Sequence, residues 1–218
     1  MLKIKNCKFN DTTAAVGQSG KQGLLLSGAE DILVEGCEFA STGYSAIRNE
    51  CTGNVVIKDC VFDSTKVKNT IEGSQQVSNG NVLVKNCRMV GAGKNNYVNV
   101  YKMKANGKLQ VLGCEFSGNA DNNIIRVSNR DSVAMTVDFE DSVYTYDDTV
   151  AVSEYSNAVL FQDYTAAKGT PQDFTHVTLN VNNVTKPEES GWFYVYEDGT
   201  GIINTNQPVV IVDGQKLA

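Results

Sequence analysis

Along this chain, apolar and polar residues alternate in short runs that return in one recurring form. Leu2 to Phe9 reads LKIKNCKF, Ile32 to Phe39 ILVEGCEF, Val55 to Phe62 VVIKDCVF, Val82 to Met89 VLVKNCRM and Leu109 to Phe116 LQVLGCEF. Val137 to Tyr144 (VDFEDSVY) carries Ser142 where the others have Cys, and fainter copies begin at Leu179 (LNVNNVTK) and Val209 (VVIVDGQK). The first and third positions are apolar, and mostly polar residues fall between and after them. This period of two predicts a strand with one buried face. The fifth position holds Asn6, Gly36, Asp59, Asn86, Gly113, Asp141, Asn183 and Asp213. Asn, Gly and Asp enter the left-handed backbone region at low cost. The pattern therefore predicts one bridging residue of positive φ that bends the strand. Beyond it, the Cys and the residue two places on (Phe9, Phe39, Phe62, Met89, Phe116, Tyr144) face inward again.

The Cys column recurs at spacings of 30, 23, 27, 27 and 28 residues from Cys7 to Ser142, then 42 to Val184 and 30 to Gly214. Periods of this length signal a solenoid, and the alternation with Gly/Asn punctuation excludes a helical repeat. Each period holds a second apolar segment, such as Leu24 to Leu26, Ile71, Val98 to Val100, Ile124-Ile125 and Val159 to Phe161. Tight turns such as Thr52-Gly53-Asn54 and Asn79-Gly80-Asn81 precede the main strand. The expected fold is all-β: a single-stranded right-handed parallel β-helix of about 7–8 coils. Residues 1–144 form its regular coils, and residues 145–218 form an irregular, aromatic-rich part of the same solenoid.

This pattern resembles the right-handed parallel β-helix of the pectin-lyase-like family, closely over residues 2–144 and loosely beyond. The resemblance implies a fold that hosts polysaccharide lyases and hydrolases, phage tail and decoration proteins, and bacterial adhesins. Fold alone does not choose among them.

A net charge of −6 argues against general nucleic-acid binding, and no apolar run is long enough for a membrane span. No leader precedes Leu2, so a chain starting natively at Met1 is expected not to follow the ordinary secretory route. Cys7, Cys37, Cys60, Cys87 and Cys114 hold one position in successive coils. Coils about 4.8 Å apart stack such side chains as a ladder rather than turning them into disulfides. Reduced, buried, inert thiols made in a reducing cytoplasm are expected, with Cys51 in a loop. CxxC spacing is absent, and neither a metal nor another cofactor is expected.

The N-terminal end shows no capping segment ahead of Leu2. Either the loop from Asn10 to Gly23 folds over it, or it docks on another protein or a second copy. Lys66, Lys68, Lys94, Lys102, Lys104, Arg126 and Arg130 either form a basic strip on one wall or are scattered solvated charges. Toward the C-terminus, alternation places Trp192, Tyr194 and Tyr196 on one side of a strand and Phe193 and Val195 on the other. Three outward aromatics mark a protein interface or sugar platform, unless the last coil packs them inside.

For catalysis, Asp138 and Glu140 lie two apart on an outward face, roughly 7 Å, within reach of an inverting pair, but without a third group. Asp147-Asp148 lack a calcium partner, and His176, the only histidine, lacks a nucleophile partner. The expectation is a non-enzymatic structural protein of a virion, a decoration or tail/fibre component made in the host cytoplasm. Its contacts would be with other virion proteins and, as the phage resemblance implies, with itself as a homotrimer. Trp192, Tyr194 and Tyr196 are the expected contact residues. The alternative is a carbohydrate-active β-helix, either a lyase or hydrolase fragment or a glycan-binding module; a third setting is the bacterial cell surface.

Overall fold

A computed structural model describes residues 1–91, 96–118, 123–146, 157–162, 172–196 and 207–217. The chain winds as a right-handed parallel β-solenoid with three sheet walls. The first coil is β1 (Leu2–Lys5), β2 (Lys8–Phe9) and β3 (Gln22–Gly28), and the second is β4 (Ile32–Glu35), β5 (Glu38–Phe39) and β6 (Gly43–Cys51). The third contains β7 (Val55–Lys58), β8 (Val61–Asp63) and β9 (Val67–Gly73); the fourth, β10 (Val82–Lys85), β11 (Arg88–Val90) and β12 (Asn96–Val100). The fifth contains β13 (Gly107–Leu112), β14 (Glu115–Gly118) and β15 (Asn123–Val127); the sixth, β16 (Met135–Glu140), β17 (Val143–Tyr146) and β18 (Asn157–Phe161). A seventh, incomplete turn has β19 (Val177–Asn182) and β20 (Gly191–Val195), and β21 (Val209–Val212) and β22 (Gln215–Lys216) follow.

Six turns are complete, fewer than the coils expected from the repeat. The seventh touches the second wall through one bridge, Val143 to Thr185. The eighth copy of the repeat also departs from its expected register. Val210, not Val209, lies opposite Leu179. Asp213 does adopt a positive φ of 46°, but Gly214 follows at 79°. Together they make an Asp-Gly hairpin, the pair such a tight turn favours. β22 therefore runs back antiparallel along β21 and occupies the C-terminal edge of the first wall.

The bend column is as the sequence indicates. Asn6, Asp59, Asn86, Asp141 and Asn183 have φ between 50° and 55°, with Gly36 at 64° and Gly113 at 62°. The side chains also form a ladder: Asn86 donates to Asp59 (3.3 Å) and Asn183 to Asp141 (2.7 Å). Inside, Val34, Ile57, Val84, Val111, Val137 and Phe139 are fully buried, and Phe9, Phe39 and Phe62 stack face to face at 4.7 Å.

Cys37, Cys60, Cys87 and Cys114 are buried free thiols. Each donates to the carbonyl two residues back and to a carbonyl of the preceding coil, as Cys87 does to Lys85 and Ile57. Ser142 repeats the local bond to Glu140 at 2.7 Å, which explains its place in the column. Two cysteine expectations fail. Cys7, on the end coil, is exposed, because nothing in the described structure stacks beyond it. Cys51 lies not in a loop but at the end of β6, fully buried. Burial pushes the Cys37 and Cys51 thiols up, and its ladder neighbours Cys114 and Cys60, together with burial, push Cys87 up. A disulfide-exchange reagent should therefore label one of the six thiols rapidly in the folded chain. Fast labelling should vanish in Cys7→Ser; two or more fast thiols would contradict the buried ladder.

Candidate functional site

The first coil leaves the N-terminal end of the stack open. β1, β2 and β3 each pair on one side only, with β4, β5 and β6. Their inward residues Ile4, Phe9 and Leu24 pack on the core but stay partly exposed, and Leu2 and Leu25 are half exposed. Gly17 bonds back to the Gly43 carbonyl, so the loop lies toward the third wall rather than over the end. Equivalent residues one coil inward are buried: Ile32, Val34, Phe39 and Ile47. Among the described residues, β1, β2 and β3 thus keep one unpaired edge each, the kind of edge that pairs with another strand.

Its rim is basic. Residues 1–28 carry four lysines (3, 5, 8 and 21) and one aspartate (11), a net +3 on a chain of net −6. Lys8 pairs with Glu38 at 2.7 Å. Lys5 pairs with Glu35 at 2.6 Å, but the other oxygen of that carboxylate serves Lys58 at 2.7 Å. Lys5 and Lys58 together hold the Glu35 carboxyl down at about 2. Two ammonium groups share one carboxylate, and the side of Lys5 away from Glu35 lies at the open end.

On the outer side of the third wall, Leu25, Arg48, Glu72, Asn99, Arg126, Leu160 and Tyr194 fall in one column. Glu72 and Asn99 are fully buried and Arg126 nearly so. Arg48 bonds Glu50 at 2.8 Å and faces Glu72 at 3.8 Å. Tyr101 donates to Glu72 at 3.4 Å and accepts from Asn99 at 3.1 Å. Burial raises the Glu72 carboxyl to about 7 against the opposing pull of Arg48. The signal was a charged residue three places after Ser45, Asn69 and Asn123, as in Asn69-Thr70-Ile71-Glu72, which strand alternation alone assigns to solvent. Those Asn residues form an inner ladder of their own: Asn69, Asn96, Asn123 and Asn157.

Most described members of the expected basic strip have local partners: Arg126 donates to the Gln162 carbonyl, whereas Lys104 is exposed at the edge of a groove. Lys66 faces Asp63, Lys102 pairs with Asp131, Lys68 lies over the Tyr44 ring and Arg130 over Tyr101. Lys94 lies outside the described residues. Asp138 is nearly buried and takes amide bonds from Gln110 (3.3 Å) and Asn180 (2.8 Å), one from each neighbouring coil, so it is a ladder rung. His176 is exposed with Asp173 4.0 Å away. Asp147, Asp148, Tyr155 and Tyr164 lie outside the described residues. Among the described residues no cluster of three metal-ligating side chains occurs.

Trp192, Tyr194 and Tyr196 do not share one face. Trp192 and Phe193 both pack on the core, with Lys186 over the indole at 4.8 Å. Tyr194 continues the outward column beside Leu160, and all three aromatics are half-buried. The wall turns a corner at Trp192, as it does at Ala46, Thr70 and Tyr97, where the ladder skips a pair. Alternation does not carry through that corner.

A shallow groove of about 390 Å³ runs along the turns before the first wall, edged by Asp31, Asn54, Asn81 and Lys104. Its side chains accept from the next coil: Asp31 from the Asn54 amide, Asn54 from Asn81 and Asn81 from Lys108. No family model, curated protein or solved structure matches this chain.

Proposed function

We propose that this chain is a non-enzymatic structural solenoid that acts through protein–protein contacts, with the one-sided strand edges of its first coil as a candidate contact. The observation that carries this reading is the contrast between the two ends. At one end three strand edges and the inner residues Ile4, Phe9 and Leu24 are uncovered, while at the other an antiparallel hairpin occupies the edge of the first wall. A virion, the setting drawn from the β-helix resemblance, suits a protein that works by docking. A trimer along its walls, with Tyr194 and Tyr196 at the contact, belongs to the same proposal.

The test is lysine cross-linking of the complex isolated under native conditions from the cells or particles that make it. Cross-links from Lys3, Lys5, Lys8 and Lys21 to one partner are expected. Ile4→Lys with Leu24→Lys should abolish co-isolation while leaving the melting temperature within a few degrees. A free monomer of 23.6 kDa in the native material, or cross-links confined to other walls, would overturn the reading. The carbohydrate-active alternative rests on the Asp31–Asn54–Asn81–Lys104 groove, whose polar rungs repeat along the axis.

A further inference from the structure

We infer that the outer face of the second wall pairs with the same face of a second copy of this chain, the two solenoids antiparallel and the twofold axis passing between Arg88 and Glu115. This rests on the protein-contact reading and names a surface and its partner. One outward column of the wall runs Lys8, Glu38, Val61, Arg88, Glu115, Val143, and the column beside it holds Asp63, Val90, Ser117 and Thr145. Val61 and Val143 are 45% and 41% exposed, while Phe62, Met89, Phe116 and Tyr144 between the columns are buried. Arg88 comes no closer than 3.7 Å to Glu115, a gap longer than a hydrogen bond, and both side chains are mostly exposed. A hollow lined by Arg88, Glu115, Phe116 and Val143 lies beside the pair.

Read in opposite directions, the first column mates with itself. Arg88 meets Glu115 of the second copy and Glu115 meets its Arg88, which frees the guanidinium for a two-pronged bond. Val61 of each copy meets Val143 of the other. In the neighbouring column Asp63 meets the Thr145 hydroxyl and Val90 meets Ser117. A twofold contact requires this reciprocity. Other alignments fail on charge. A twofold axis through Val61 mates Glu38 with Arg88 but sets Asp63 against Asp63. A twofold axis along the solenoid faces one column with the other, so Arg88 meets Val90, Glu115 meets Ser117 and neither charge finds its opposite. The face runs along the solenoid, so coils stacked on either end leave it open. It spans four coils at about 4.8 Å each, less than a standard interface. The contact is therefore weak in dilute solution and gains where copies are held side by side.

The test is site-directed cross-linking. Val61→Cys and Val143→Cys are each placed in Cys7→Ser, because Cys7 is the exposed native thiol. The two variants are mixed at high concentration with a short bismaleimide. The mixture should yield a covalent dimer, twice 23.6 kDa, at least tenfold above either variant alone, since like positions lie three coils apart, about 14 Å. Arg88→Glu in both variants should remove this product, and Arg88→Glu with Glu115→Arg should restore it. Equal dimer from one variant alone, or a mixed product indifferent to the charge reversal, would overturn the inference. So would the absence of dimer from variants that melt like the unaltered chain. The cross-linking of the native complex decides the protein-contact reading separately.

Discussion

Replacing Glu72 with Gln should make the protein more stable at pH 8 by about 3 kcal/mol and leave it nearly unchanged at pH 4. Glu72 is fully buried on the outer side of β9, and burial lifts its carboxyl to about 7. The unfolded chain releases this proton near the ordinary glutamate value, 4.5. Between those two values the folded state binds more protons than the unfolded state. Wild-type stability therefore falls as pH rises from about 4.5 to 7 and is flat beyond. Glutamine keeps the shape and the polar contact with Tyr101 but has nothing to ionise, so the decline disappears. Arg48 is not stranded by the change, because Glu50 holds it at 2.8 Å. Urea unfolding across that pH range checks this. A variant with the wild-type slope, or one less stable at every pH, would show instead that the Arg48–Glu72 attraction outweighs the burial cost.

Gly80→Ala should destabilise the chain by about 3 kcal/mol or more, at the upper end of the cost of overpacking. A Cβ on Gly80 would lie 2.4 Å from the Gly53 carbonyl oxygen and 2.9 Å from that of Thr52. Gly53 stands in the same relation to Glu30, at 2.4 Å. These are backbone atoms of the coil below, fixed by hydrogen bonds such as Val55 to Asn81, so relief requires the coils to part. Asp59→Gly is the contrast. It keeps a backbone that glycine adopts freely, φ 55°, and loses one side-chain hydrogen bond at 3.3 Å and a partly exposed contact with Lys58 at 3.8 Å, so it should cost about 1 kcal/mol. Thermal unfolding of both variants checks the pair. Similar losses would mean that the turn stack yields more than its geometry implies.

The parts of this fold that were legible are those set by local chemistry. A column containing only Asn, Gly and Asp marks left-handed backbone wherever it lies, and it did so from Asn6 to Asn183. The Cys column marked an inward position because a small, weakly polar side chain serves both core and carbonyl. What alternation could not carry was the corner of the third wall. There, two successive residues turn inward, so Trp192 left the face assigned to it; Cys51 joined the core because β6 runs on past the corner with regular alternation from Ile47. Glu72 and Arg126 read as solvent-facing because charge ordinarily stays at the surface. Their burial depends on residues of neighbouring coils, such as Asn99 and Tyr101 beside Glu72, which the chain brings together only when the coils stack. The last repeat misled for a different reason: Asp213 keeps the bend conformation, but Gly214 turns that bend into a hairpin. The open end was legible as a choice between a folded-over loop and a docking surface, and the bond from Gly17 to Gly43 places the loop on the third wall.

Hydrogen exchange on the native complex, compared with the isolated chain, tests the central claim most directly. If the N-terminal end is the docking surface, amides of β1, β2 and β3 should gain at least tenfold protection in the complex, while those of β21 and β22 should not change. Protection confined to Tyr194 and the C-terminal walls, or none in the first coil, would contradict it.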